Sequence, residues 1–442
     1  MMSASQRQSA PESKLESLQC HFTWDLDPSR SKLLRLKDKL EDIGTEQGNI
    51  WMGHIYNLQG FIQYQLGCME EARRLLSRAT EAVNQLRHAD KGPWLVVNYG
   101  NLAWLHHHQG EEEESQAYLL KVDALMKEYP PPSEDELHAE VYAEKAWTLM
   151  KFSKDQKLLA ADYFQRALRM QPDRVEWQTS RVIALVSANK HSETGVNPDV
   201  LEQMKMATEQ DPENLYLAVH YLEQRARKGE WIQDEARDLT SKILVNPVSS
   251  YSGLKALLRL YRQHLSVDEA MDVAEEALRD HPEERYLTRC TALCYKWKII
   301  FFRDGRLKQS VVDRAVSLYE EVISLYPHAS LVKKIDLANI HAKSSGGLAK
   351  AEEMYKELLE SDLEPADKQM LYNCYAKYLH FDRQQHRLSL QYHQRAADIP
   401  EQSFFRDNSV RVLERIKERR GNRGGSRGGS HRGSHRGSRM DR

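Results

Sequence analysis

Seven prolines divide this chain at similar intervals: Pro130, Pro172, Pro212, Pro247, Pro282, Pro327 and Pro365. Two of the steps are 35 residues and the others run from 38 to 45. A period of that size predicts stacked two-helix units, because one such unit cannot bury its own apolar face. Upstream of several prolines a helical pattern recurs. Ala160, Phe164 and Ala167 precede Pro172; Ala270, Ala274 and Ala277 precede Pro282; Ala315, Tyr319 and Val322 precede Pro327. Ala72, Leu76 and Ala79, then Ala351, Tyr355 and Leu358, extend it towards both ends. Small residues let two helices approach, the larger one fills the gap beside them, and proline stops the helix. First-helix signals are Leu102-Ala103 before Gly110, and Gly60 before Gly67. The pattern is that of a tetratricopeptide repeat. It predicts an all-α right-handed superhelix of eight or nine helix-turn-helix units whose concave face holds an extended partner.

Composition narrows the class. No stretch approaches the roughly 18 apolar residues of a membrane span, and the polar start lacks the apolar region of a secretory signal. Five scattered cysteines are no disulfide framework, so a reducing cytoplasm is the expected home. Cys290 and Cys294, one turn apart, read as packing residues. His106-His107-His108 cannot share one metal, since consecutive helical residues point about 100° apart. The acidic run Glu111 to Glu114 reads as a helix N-terminus, where negative charge is favourable. Phosphate-loop, dinucleotide, zinc-protease and serine-hydrolase motifs are absent, so no enzyme, cofactor or metal is expected.

Charge is unevenly spread. Residues 421–442 carry six arginines against Asp441, in a glycine- and serine-rich background that composition marks as disordered. Such a tail either contacts RNA without regard to sequence or simply solubilises. Removing its +5 from the net charge of −2 leaves a body near −7, so an anion site on the body must be a local basic lining. The expected organisation is an N-terminal helical segment over 1–48, the repeat array over 49–420, and the tail.

Cys20-His21-Phe22-Thr23-Trp24 is unusual enough to suggest a family. With Gly100-Asn101-Leu102-Ala103-Trp104, Trp147-Thr148-Leu149-Met150-Lys151, Asn214-Leu215-Tyr216, Tyr261-Arg262 and Leu293-Cys294-Tyr295-Lys296, it resembles the interferon-induced proteins with tetratricopeptide repeats. The resemblance covers roughly residues 15–420. It implies a cytoplasmic antiviral protein whose basic groove binds single-stranded RNA 5′ ends, bearing a triphosphate or a cap lacking 2′-O-methylation, with no turnover. It also implies association with related members. The alternative is a repeat scaffold that binds signalling or translation proteins.

Ser133 before Glu136 reads as a capping box for a helix reaching about Phe152, with Trp147 and Lys151 on a stripe shared with Glu140 and Glu144. Taken alone, Trp147 reads as core. The resemblance makes it the base-stacking residue and Lys151 a phosphate ligand, and it places Glu176 and Ile183 in the cap pocket and Asn214 and Tyr216 against nucleotides. Lys255, Arg259 and Arg262 form one basic helix face at four- and three-residue spacing, joined by Arg289 and Lys296; the resemblance makes them groove lining. Four positions depart from the family pattern: Ser187 for an arginine, Lys157 for a tyrosine, Lys39 for an arginine and Asn49 for a threonine. Ile43 and Gln47 do not match the cap-proximal loop. The 5′-end preference is therefore open.

Overall fold

The computed structural model describes residues 10–26, 29–43, 49–133, 136–189, 196–301 and 307–425. These residues are helical throughout. A short α1 (Ala10–Glu16) and a 3₁₀ turn (His21–Thr23) precede α2 (Arg30–Glu41). Paired helices follow: α3 (Met52–Gln65) with α4 (Met69–Leu86), α5 (Val96–His108) with α6 (Glu112–Glu128), and α7 (Ala139–Leu149) with α8 (Lys154–Met170). Next come α9 (Val175–Ala188) with α10 (Pro198–Gln210), α11 (Leu215–Arg227) with α12 (Gln233–Val245), and α13 (Leu254–His264) with α14 (Val267–Asp280). Then come α15 (Arg285–Phe301), α16 (Gln309–Leu325) and a 3₁₀ turn, Pro327–Ala329. The chain continues with α17 (Ser330–Lys343) and α18 (Leu348–Glu360), α19 (Pro365–Phe381) and α20 (His386–Asp398), and finally α21 (Phe404–Gly425). They form two compact units. The first runs to Lys298 and includes Ser324–Ala329; the second takes Ile299–Ile323 and everything from Ser330.

The small-large-small offsets are the seams between paired helices. Ala160, Phe164 and Ala167 are fully buried, as are Ala72, Leu76 and Ala79, and Ala270, Ala274 and Ala277 are nearly so. In the second unit Ala315, Tyr319, Val322, Ala351, Tyr355 and Leu358 occupy equivalent buried positions. Six of the seven prolines stand two residues past a helix end, after Glu128, Met170, Gln210, Val245, Asp280 and Leu325. Pro365 departs from the expected role. It occupies the first turn of α19, where its missing N–H costs nothing. Gly67 and Gly110 turn α3 into α4 and α5 into α6 with φ of +84° and +73°, a region that disfavours other residues.

In the first unit, three of the sequence segments singled out above meet in one buried knot. The Asn101 carboxamide accepts from the His21 backbone N–H at 3.0 Å and donates to His21 Nδ1 at 3.0 Å. His21 Nε2–H therefore donates to Thr148 Oγ1, 3.1 Å away. Burial holds the ring's pKa down to about 3, with the Asn101 hydrogen bond opposing it, so the imidazole stays neutral. Gly100 eases the close approach here, because a Cβ at that position would lie 3.0 Å from the Cys20 Cβ, a tight contact. Trp104 Nε1 donates to the Leu15 carbonyl at 3.1 Å and ties α1 to α5.

Beside it runs a second polar chain. Thr80 Oγ1 donates to Asn98 (2.6 Å), Asn98 to Asn57 (2.8 Å), and Asn57 to Glu144 (2.8 Å). Burial pushes the Glu144 carboxyl up to about 8, with the Asn57 hydrogen bond opposing the rise. Glu140 and Glu144 are thus no solvated stripe: both are buried, because α7 packs against α3 and α5 as well as α8. The start of α7 also differs from expectation. His138 is the N-cap, and Ser133 lies in the preceding loop, where its carbonyl accepts from the Glu136 N–H.

Glu111 caps α6 and Glu112 to Glu114 fill its first turn. His106 and His107 face Glu111 and Glu112, while His108 stacks on Tyr64 and Trp104. In the second unit, Gln369 donates to the carbonyls of Ala396, Ile399 and Glu401 and fixes the bend from α20 into α21. Of the tail, only the first five backbone positions are described, as the end of α21; the rest lies outside the described residues. No described helix is long and apolar enough to cross a membrane.

Candidate nucleic-acid interface

Two adjoining cavities open within the first unit, of about 370 and 430 Å³. They share Met150, Lys151, Ile183, Tyr216 and Tyr251. Their walls come largely from the first helices of successive pairs, with α2 laid along one side. The first cavity gathers Lys39, Lys151, Lys157, Ile183, Tyr216, Lys255, Arg259 and Arg289. The second gathers Trp147, Lys151, Glu176, Ile183, Asn214 and Tyr216. Eleven of the twelve expected site residues are thus brought together, from helices up to 250 residues apart.

Arg262 is the exception and corrects the expectation of one basic face. It lines neither cavity, and its guanidinium lies 4.9 Å from the centre of the Trp297 ring. Three residues after Arg259 the helix has turned it towards α15. Ser187 and Ile43 line the first cavity and Asn49 the second, while Gln47 lies outside the described residues.

The three lysines are held in an unusual electrostatic state. Lys151 Nζ sits 3.9 Å from the centre of the Trp147 ring and donates to the Tyr251 hydroxyl at 2.5 Å. Burial, aided by the Lys157 charge, lowers its pKa to about 7. Lys157 is lowered by burial, and Lys39 by burial and then by Lys157, Arg35 and Arg289. Lys39 is exposed, and Lys151 and Lys157 are half-buried, where they line the cavity. No carboxylate among the described residues pairs with any of the three.

Arginines in the same cavity are differently placed. Glu223 accepts from Arg259 Nε at 3.1 Å and Nη2 at 2.6 Å, and from Arg227 at 3.2 Å. Burial pushes its carboxyl upward, but hydrogen bonds from His220 and Arg259 outweigh this and hold it well below the usual range. Asp42, whose side chain is fully buried, pairs with Arg289 at 2.5 Å and Arg285 at 3.0 Å, and accepts from the Tyr326 hydroxyl at 2.7 Å. Its backbone carbonyl accepts from the Ser250 N–H, and that of Ile43 from the Ser249 hydroxyl. The unsatisfied carbonyls at the α2 C-terminus therefore find distant donors.

The second cavity is aromatic. Trp147 is 2% exposed, and its ring lies nearly parallel to that of Trp51, centroids 6.4 Å apart. Val245 stands exposed on its lining, and Glu176 lies 3.4 Å from Arg87. Asn214 is occupied as the N-cap of α11, accepting from the Leu217 N–H while donating to Asp211. Sequence reasoning missed Trp51, Tyr251, Glu223 and Asp42. Only Trp51, a lone tryptophan opening α3, carried any local signal.

Comparison with known proteins fits this arrangement. A tetratricopeptide repeat family model matches residues 51–128. The chain is 26% identical over 423 residues to the antiviral innate immune response effector IFIT1 of Macaca fascicularis, covering 91% of this chain and 86% of that one. It is 26% identical over 385 residues to human interferon-induced protein with tetratricopeptide repeats 2, covering 83% and 79%. The solved structure of an IFIT1 monomeric mutant with Gppp-AAAA superposes with a TM-score of 0.70 at 24% identity, covering 94% of this chain and 92% of that one. The human IFIT1 dimer with PPP-AAAA gives 0.68 at 24% identity, with the same coverage. Over most of its length the chain is similar to the interferon-induced proteins with tetratricopeptide repeats. The knot of His21, Asn101 and Thr148 joins three of the segments that carry the resemblance.

Proposed function

We propose that this protein binds single-stranded RNA by its 5′ end, without turnover, as an antiviral effector that withholds foreign RNA from translation. The observation that carries the reading is the group of three lysines, 39, 151 and 157, gathered on one cavity wall with no carboxylate partner among the described residues, where the Lys157 charge adds to burial in lowering the proton affinity of the other two. Like charges gathered on one wall without a counter-ion repel, and a terminal phosphate cluster supplies the missing charge. Half-exposed Trp51, backed by the buried Trp147, offers the adjoining aromatic surface for a base or cap, where stacking contributes about 1–3 kcal/mol. Ile183, Glu176, Asn214 and Tyr216 border that surface, and Lys255, Arg259 and Arg289 line the way inward. Repeats over 49–420 form the binding body, and the tail over 421–442 is auxiliary. Relatives solved with Gppp-AAAA and PPP-AAAA support RNA of this kind as the ligand.

The test compares triphosphate, unmethylated-cap and 5′-hydroxyl RNAs of one sequence at fixed salt. Expected is preference for an end bearing phosphates, lost by about 2–5 kcal/mol in Lys151→Glu. Equal affinity for all three, unchanged by that substitution, would leave a protein-binding scaffold as the better reading.

A further inference from the structure

The two kinds of cation in the first cavity differ in what stands behind them. The lysines have no carboxylate partner among the described residues; Lys151 meets the Trp147 ring and the Tyr251 hydroxyl. Arg259 is held by both oxygens of Glu223, a carboxylate 2% exposed that Arg227 also clamps from its own helix. A phosphate reaching Arg259 meets an ionised carboxylate on the same guanidinium, and the repulsion is stronger there than in bulk water because Glu223 is 2% exposed.

We propose that Glu223 is a specificity-determining residue: by occupying Arg259 it confines the electrostatic grip to the first phosphates of the RNA. The cavity then selects a terminal phosphate cluster rather than a length of backbone. This rests on the RNA-end reading above. It adds that nucleotides beyond the lysines contribute little charge-dependent affinity, although an arginine is there to receive them. Asp42 acts in the same sense on Arg289.

Salt dependence tests this on the full chain. Each phosphate neutralised on a single strand contributes about −0.7 to the slope of log affinity against log salt. A 5′-triphosphate dinucleotide and a 5′-triphosphate octanucleotide sharing their first two bases are the probes. For the unaltered protein we expect slopes near −2 for both, from roughly three lysine contacts, differing by less than one phosphate. In Glu223→Gln the octanucleotide slope should steepen by about 0.7 and its affinity relative to the dinucleotide should rise several-fold. Glu223→Asp should restore the original ratio.

A slope that already grows with length in the unaltered protein would overturn the proposal, and needs no variant. So would a Glu223→Gln protein of unchanged melting temperature with an unchanged affinity ratio. If neither RNA binds the unaltered protein in a salt-dependent way, the RNA-end reading itself falls.

Discussion

Lys39, Lys151 and Lys157 share a cavity with Arg259 and Arg289, yet the two groups carry opposite electrostatic histories. The lysines sit beside each other without a counter-ion among the described residues, so folding raises their energy and an arriving anion lowers it. The arginines reach the cavity already paired, to Glu223 and Asp42, so folding stabilises them and an anion must compete. A positive residue on a groove wall is therefore no guide to ligand affinity until the atoms behind it are known.

The sharpest way to break the contrast is Asp42→Ala, which strips the arginine side of its counter-charge. Leaving Arg289 unpaired, and Arg285 with Glu41 as its remaining carboxylate, should cost roughly 3–5 kcal/mol of stability, read by chemical denaturation. A loss below about 1 kcal/mol would mean the arginines are no better satisfied than the lysines.

A second measurement uses pH, to which Lys151 on the lysine side responds near neutrality. With its pKa lowered to about 7, Lys151 loses its proton as pH rises past that value, while the unfolded lysine holds its proton to about 10.4. Between those limits the unfolded chain binds more protons, so this group makes the unliganded protein more stable as pH rises. RNA affinity should move the other way, falling by at most about tenfold per unit above pH 7. Binding that is flat from pH 6 to 9 would remove Lys151 from phosphate contact.

The smallest effect is expected from Lys157→Gln. Removing one of the mutually repelling cations should raise unliganded stability by about 1 kcal/mol or less and shift the pH midpoint of RNA binding upward. Thermal melting and a binding titration across pH read both. An unshifted midpoint would show that the lysines do not sense one another.

Much of the fold was legible because its determinants are local. Ala160, Phe164 and Ala167 lie within one helix, and their seam is decided by residues three and four apart. Proline was readable as a stop at six positions but misread at Pro365, since the same ring suits a helix's first turn. Site residues could be named, but what surrounds them could not. Arg259 meets Glu223 across 36 residues, and Arg289 meets Asp42 across 247; neither pairing leaves a periodic trace. Arg262 failed for a related reason, because Trp297 on a different helix decides where it points. Trp147, an ordinary core residue by pattern, is indeed buried, yet it lines the second cavity with Lys151 over its ring.

Asp42 has one further consequence, for the order in which the chain matures. Repeat pairs complete themselves from neighbouring sequence, whereas α2 closes on the Tyr326 hydroxyl, 284 positions downstream. At about 5–20 residues per second of synthesis, that helix waits on the order of a quarter-minute to a minute for its last partner. A nascent chain halted before that tyrosine can stack its early repeats and tie α2 to Ser249, Ser250, Arg285 and Arg289, yet lacks the last hydrogen bond of the wall, so the finished cavity arrives late in synthesis.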